Sequence, residues 1–148
     1  MGQKVVTMDE NIAIRTIDKG EFFKLKNPKE KIKFLLRYAI LAPSTHNSQP
    51  WLFKVYDDRC DIYFDSKSYN IVEADPIQRD LYISFGCLIE NLSVAASYFN
   101  VLDKITYKLQ DNLVSEVYFK NLKNTDQNTN NPYLPTLEAI SKRINARG

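Results

Sequence analysis

From Ile77 to Phe99 the chain carries an apolar stripe at helical spacing: Ile77, Leu81, Ser84, Phe85, Leu88, Leu92, Ala95, Ala96 and Phe99. Ile83, Ile89 and Val94 make much of the opposite side apolar as well. A helix apolar on two sides is buried between layers, so this segment is predicted to be the central helix of the domain. The chain is 148 residues long and 44% hydrophobic, which suffices for one compact domain with a single core around that helix.

The elements around it follow from local signals. Asn27 suits an N-cap, Pro28 the first helical position and Glu30 the acid of a capping box, so a helix is predicted to start there. Ile32, Leu35, Leu36 and Ala39 form its core stripe, leaving Lys29, Lys31, Lys33 and Arg37 free to face water; Pro43 stops it. The β-forming runs 51–56 and 60–65, joined by Asp57-Asp-Arg59, predict a hairpin. The runs 104–109 and 113–119, joined by Gln110-Asp-Asn112, predict another. A last helix is expected from about Pro135-Thr136, with Leu137, Ile140 and Ile144 on one side. Residues 121–131, polar and Asn-rich, are expected to form a flexible connection. Residues 1–26 are expected to be a lead-in arm with a turn at Asp18-Lys-Gly20, and 27–148 the domain proper. Helices interspersed with two hairpins give an α+β fold, a mainly antiparallel sheet flanked by helices.

Composition narrows the chemistry. A net charge of +2 creates no general field for nucleic acid or an anionic membrane, so any anion must be held by local groups. The only histidine, His46, excludes a His-rich metal site, and Cys60 and Cys87 lack zinc or redox spacing. Both are expected to be small buried groups. No apolar run approaches a membrane span and no leader pattern opens the chain, which reads as cytoplasmic.

The polar run after the first long helix is the first candidate site. Ser44, Thr45, Asn47 and Gln49 concentrate hydroxyl and amide groups between a helix and a strand, suited either to reading a polar, planar ligand or to closing the turn itself. Pro43-Ser-Thr-His-Asn-Ser-Gln-Pro-Trp51 resembles the P-S-x-x-N-x-Q-P-W signature of the nitroreductase superfamily at every fixed position. That resemblance implies a nitroreductase-like fold and a flavin (FMN) site at a dimer interface, with Pro43, Ser44, Thr45 and Asn47 as cofactor contacts. Gln49 and Trp51 are expected to be structural.

Two further stretches are similar to elements of the same superfamily. Asp75-Pro-Ile-Gln-Arg-Asp80 with Ile83-Ser-Phe-Gly-Cys-Leu-Ile-Glu-Asn91 resembles the D-P-x-x-R-x-x-x-I-S-x-G-x-x-x-x-N run of its tandem branch, in which two halves in one polypeptide mimic the usual homodimer. Gly86 within it suits close approach of a backbone or ligand. Arg79 is expected to pair with Asp75 or Asp80. At the C-terminal end, Arg143-Ile-Asn-Ala-Arg147 carries two Arg four apart that either cap a helix as solvated charges or converge on a phosphate. It resembles the R-x-S-x-R element that binds the FMN phosphate, with Asn145 in place of the hydroxyl residue. This implies Arg143, Asn145 and Arg147 as phosphate and ribityl contacts. Because that element normally opens a unit, residues 136–148 are expected to begin a second half, and the chain to be the N-terminal piece of a longer protein or a stand-alone half.

The resemblance implies an oxidoreductase that passes hydride from NAD(P)H through FMN to a small acceptor such as a nitroaromatic or quinone, as a homodimer or pseudo-dimer and without a protein acid or base. The alternatives are a flavin-binding or flavin-storage protein without turnover and a cofactor-free interaction module.

Overall fold

A computed structural model describes residues 5–6, 17–44, 47–67, 69, 77–125, 127 and 130–143. Its elements in chain order are β1 (Val5–Val6), α1 (Gly20–Lys24), α2 (Pro28–Ala39), β2 (Trp51–Val55), β3 (Arg59–Phe64), α3 (Arg79–Tyr98), β4 (Leu102–Gln110), β5 (Leu113–Phe119) and α4 (Leu134–Lys142). The strands form one antiparallel sheet in the order β1-β2-β3-β5-β4. The fold is α+β, as expected.

Both predicted hairpins form. In the first, Trp51 faces Phe64 and Val55 faces Cys60 in register. In the second, Gln110 pairs with Leu113, leaving Asp111 and Asn112 at φ 53° and 66°, the left-handed pair that a type I′ turn requires. Alternation puts Phe53, Val55, Cys60, Ile62 and Val117 on the buried face of the sheet, against α2 and α3.

The helix starting at Pro28 has the predicted cap: Asn27 Oδ1 accepts from the Lys29 N–H at 2.9 Å. Glu30 does not complete a capping box among the described bonds and instead pairs with Lys33 at 3.0 Å. The helix closes in a tighter turn, Ala42 N–H donating to Ala39 O at 3.0 Å, immediately before Pro43. Lys31 departs from expectation, being only 3% exposed. Its Nζ donates to Leu122 O at 2.5 Å and Thr125 Oγ1 at 3.0 Å, because the 121–125 turn folds down over this face of α2. That turn also buries Leu122, and Asn131 Nδ2 donates to Tyr98 O, so the Asn-rich segment is tied to the domain at both ends.

Helix α3 is the central helix, with Leu81, Phe85, Leu88, Leu92, Ala95 and Ala96 buried on one side and Ile89 and Val94 on the other. Ile77 does not join the stripe. Gln78 adopts a left-handed conformation (φ 57°) before the helix, so the helical phase is lost and Ile77 is exposed. Ile83 is exposed as well, on a side of α3 that no described element covers.

Two pieces of the 1–26 segment join the domain. Val5 and Val6 pair with Lys54 and Phe53 of β2. Asp18 Oδ1 accepts from the Gly20 N–H at 2.9 Å, and the short helix that follows buries Phe22, whose ring stacks on Phe99 at 4.1 Å between centroids.

Candidate functional site

The loop after α2 holds its shape through its own polar groups. Ser44 Oγ accepts from the Gln49 N–H at 3.0 Å, the Asn47 N–H donates to Ser44 O at 3.0 Å, and Gln49 Nε2 donates to Asn47 Oδ1 at 3.3 Å. These bonds hold Asn47 and Gln49 at φ 54° and 45°. Asn tolerates that region; Gln adopts it less readily, so the loop stores some strain, of the kind that clusters at ligand sites. Asn47 is exposed, Pro43 and Ser44 are half-buried, and Thr45 and His46 lie outside the described residues. Ser48 Oγ is buried without a hydrogen-bond partner among the described residues.

Trp51 is core, as expected: it is buried, with its ring edge-on to Phe85 at 6.1 Å. Asn91, the last residue of the second motif, donates from Nδ2 to Tyr38 O at 3.3 Å and so fastens α3 to the end of α2. Asp75, its possible partner for Arg79, lies outside the described residues, and no Arg79–Asp80 ion pair is present among those described.

The fold brings two of the sequence-predicted pieces together. Helix α4 packs on α3 through fully buried Leu137 and delivers Arg143 to the end of α2, where its guanidinium donates to Leu41 O at 2.6 Å. Arg143 and Pro43 thereby line one open groove of about 580 Å³, together with Gly86, Cys87, Glu90 and Asn91 of α3 and Ile140 of α4. That volume lies within the range of small-molecule sites. Asn145 and Arg147 lie outside the described residues.

Gly86 answers the close-approach expectation in one direction. A Cβ placed there would meet nothing within 4 Å among the described residues, so no described element presses on it and the space above it opens into the groove. Cys87 is half-buried in the same wall, not enclosed as expected, because it sits one residue round α3 from the core stripe. Cys60 is enclosed, and burial pushes its thiol far up, which keeps it protonated and inert. The groove is therefore largely apolar, with Gly86 open to it, Pro43 of the strained loop at one end, and the side chains of Arg143 and Glu90 on its border.

Sequence reasoning missed one wall of the groove, the one from α4. The wall supplied by Thr136, Ala139 and Ile140 has no signal beyond ordinary helix composition, and its place against α3 depends on the packing of α4.

A second polar cluster lies on the outer face of the sheet. Asp61 and Glu116 are direct cross-strand neighbours. Arg59 Nε approaches Asp61 Oδ1 at 2.8 Å and Glu116 Oε2 at 3.8 Å, while its guanidinium lies over Tyr56 and Tyr118 at 4.2 and 5.8 Å. Burial, reinforced by the Glu116 charge and opposed by Arg59, raises the Asp61 carboxyl above its usual range. The Tyr118 hydroxyl, donating at 2.9 Å, lowers that of Glu116. Arg59, shared by two carboxylates and two rings, with Lys108 on Glu116 at 3.5 Å and Lys104 over the Tyr118 ring at 4.8 Å, accounts for this cluster as a staple of the outer face. No group of metal-ligating side chains occurs among the described residues, and no described helix is long and apolar enough to cross a membrane.

No protein-family model matches the chain. Two curated proteins of Mycobacterium tuberculosis, both provisionally named NAD(P)H nitroreductases, are each 32% identical to it over 66 residues; one is from strain CDC 1551 / Oshkosh and the other from strain H37Rv. The match covers 45% of this chain and 19% of each relative, so the chain matches about a fifth of their length. This distant similarity supports kinship with the nitroreductase superfamily of oxidoreductases.

Proposed function

We propose that this chain forms one wall of an FMN-dependent oxidoreductase site, completed by a second copy or by a second half of a longer polypeptide. The observation that carries the reading is the convergence of Pro43 and Arg143, from two separately predicted motifs, on the single groove floored by Gly86. FMN, when bound, supplies the redox chemistry, accepting hydride from NAD(P)H and passing electrons to a small acceptor such as a nitroaromatic or quinone.

The chain's own residues bind and orient. Pro43, Ser44, Thr45 and Asn47 form the polar rim against the ring system, and the open face of Gly86 lets it approach α3 closely. Arg143, Asn145 and Arg147 hold the phosphate end, where guanidinium forks match phosphate oxygens. No side chain of the loop is required as an acid or base, since the bound cofactor would carry the chemistry.

The test is an absorbance spectrum of the purified chain, alone and joined to its second half, before and after NADPH. Protein that carries a flavin spectrum and bleaches on reduction supports the reading. Bound flavin that NAD(P)H does not reduce points to a storage protein. A second reading, a cofactor-free interaction module, is favoured by the internal bonds of Ser44 and Arg143, which let the loop hold its shape unaided. Protein that stays colourless with added FMN, and is indifferent to Asn47→Ala, identifies that case.

A further inference from the structure

Lys31 is a buried cation without a described counter-charge. Its side chain enters the space between α2 and the 121–125 turn, over the Phe22 ring at 5.3 Å, and its two hydrogen bonds go to a carbonyl and a hydroxyl. Both acceptors are neutral. Among the described residues no carboxylate lies within ion-pair distance of it. An ammonium has three donors, so one N–H remains, and burying such a charge costs several kcal/mol unless an anion offsets it. Desolvation accordingly lowers the affinity of this amine for its proton.

Lys31 also lines an open cleft of about 620 Å³, together with two further lysines, Lys26 and Lys123, and with Phe23, Asn124 and Thr125. Lys26 and Lys123 make no ion pair among the described residues either. Three lysines therefore border one cavity, with a threonine, an asparagine and a phenylalanine beside them. This cleft is formed by α2, the 121–125 turn and the segment after α1, whereas the Pro43–Arg143 groove lies at the other end of α2.

We propose that this cleft binds the phosphate group of a small phosphate monoester. Lys31 supplies the buried charge at its base, Lys26 and Lys123 close over the dianion from the rim, and Phe23 takes the apolar part of the ester. Point-charge ammonium groups suit a phosphate with rotationally free oxygens, and the volume exceeds what an inorganic ion fills.

The experiment is titration of the full chain with inorganic phosphate and with phenyl phosphate, against chloride at matched ionic strength, by calorimetry and thermal melting. The expected result is saturable binding with a rise in Tm, tighter for phenyl phosphate. Lys26→Ala and Lys123→Ala, both at exposed side chains, are each expected to weaken it about tenfold, the equivalent of one charge-assisted hydrogen bond. Arg143→Ala is expected to leave it unchanged. Lys31→Met is expected to abolish binding, and the two rim variants carry the test if that variant does not fold. Absence of saturable binding overturns the proposal, as does binding that survives both rim variants or is lost with Arg143→Ala alone. Destabilisation by Asp126→Asn equal to that by Lys31→Met also overturns it, since the counter-charge would then be internal.

Discussion

The guanidinium of Arg143 and the carbonyl of Leu41, 102 positions apart, are joined at 2.6 Å. This bond fixes the end of α4 against the end of α2 and so closes one end of the groove that α3 and α4 line. Arg143→Ala is expected to cost about 1–2 kcal/mol by leaving a partly buried carbonyl unsatisfied. It is also expected to weaken FMN binding, with Arg143→Lys restoring stability more than affinity because an ammonium cannot form the fork. Denaturant titration and flavin titration on the same variants check both parts.

Gly86 separates stability from binding. A methyl group there meets nothing, and Gly in a helix interior is about 0.8–1.0 kcal/mol worse than Ala, so Gly86→Ala is expected to raise stability by up to that amount. Gly86→Leu is expected to fold equally well and to reduce flavin affinity by at least tenfold, because its side chain enters the groove. Unchanged affinity in a folded Gly86→Leu protein would remove the groove as the cofactor site.

Phe22 links the short helix α1 to the core, stacked on Phe99 and in contact distance of Phe34. Phe22→Ala is expected to cost about 3–5 kcal/mol, the range for a fully buried aromatic residue. Chemical unfolding measures it; a cost below about 1 kcal/mol would mean that α1 is not a working part of the core.

Asp61 and Glu116 respond to acid with opposite signs. Asp61 has its folded value above the ordinary 3.8, so the fold binds its proton more tightly than the unfolded chain, and stability from this group rises as pH falls through that window. Glu116 has its folded value below the ordinary 4.5, so its contribution is full above that pH and is lost as pH falls through the folded value. Glu116→Gln is expected to lower Tm at neutral pH and to remove part of the acid loss. Asp61→Asn is expected to change neutral-pH stability by less, since Arg59 keeps Glu116 as a counter-charge at 3.8 Å, and to remove the acid gain. Melting curves between about pH 3 and pH 7 check the sign of each.

The elements set by short-range signals were legible in the sequence. Asn27 and Pro28 begin α2, Asp111 and Asn112 turn the second hairpin, Trp51 enters the core at the head of β2, and the two-sided stripe of α3 puts that helix at the centre. The P-S-x-x-N-x-Q-P-W run marked one end of the groove because its residue types and spacing are local.

What the sequence could not specify was which surfaces meet. Lys31 reads as solvent-facing until the 121–125 turn, some ninety residues away, supplies a carbonyl and a hydroxyl to its ammonium. Ile77 reads as core until one left-handed residue, Gln78, breaks the helical phase. Local propensity, capping and periodicity are properties of neighbours in the chain, so the sequence by itself determined α2, α3, α4, the two hairpins and the polar loop, but not α1 or β1. The groove between Pro43 and Arg143 and the cleft around Lys31 depend on long-range packing of α4 and of the 121–125 turn. Only the tertiary structure decided those, because burial and hydrogen-bond partners at such separations are set by the assembled core.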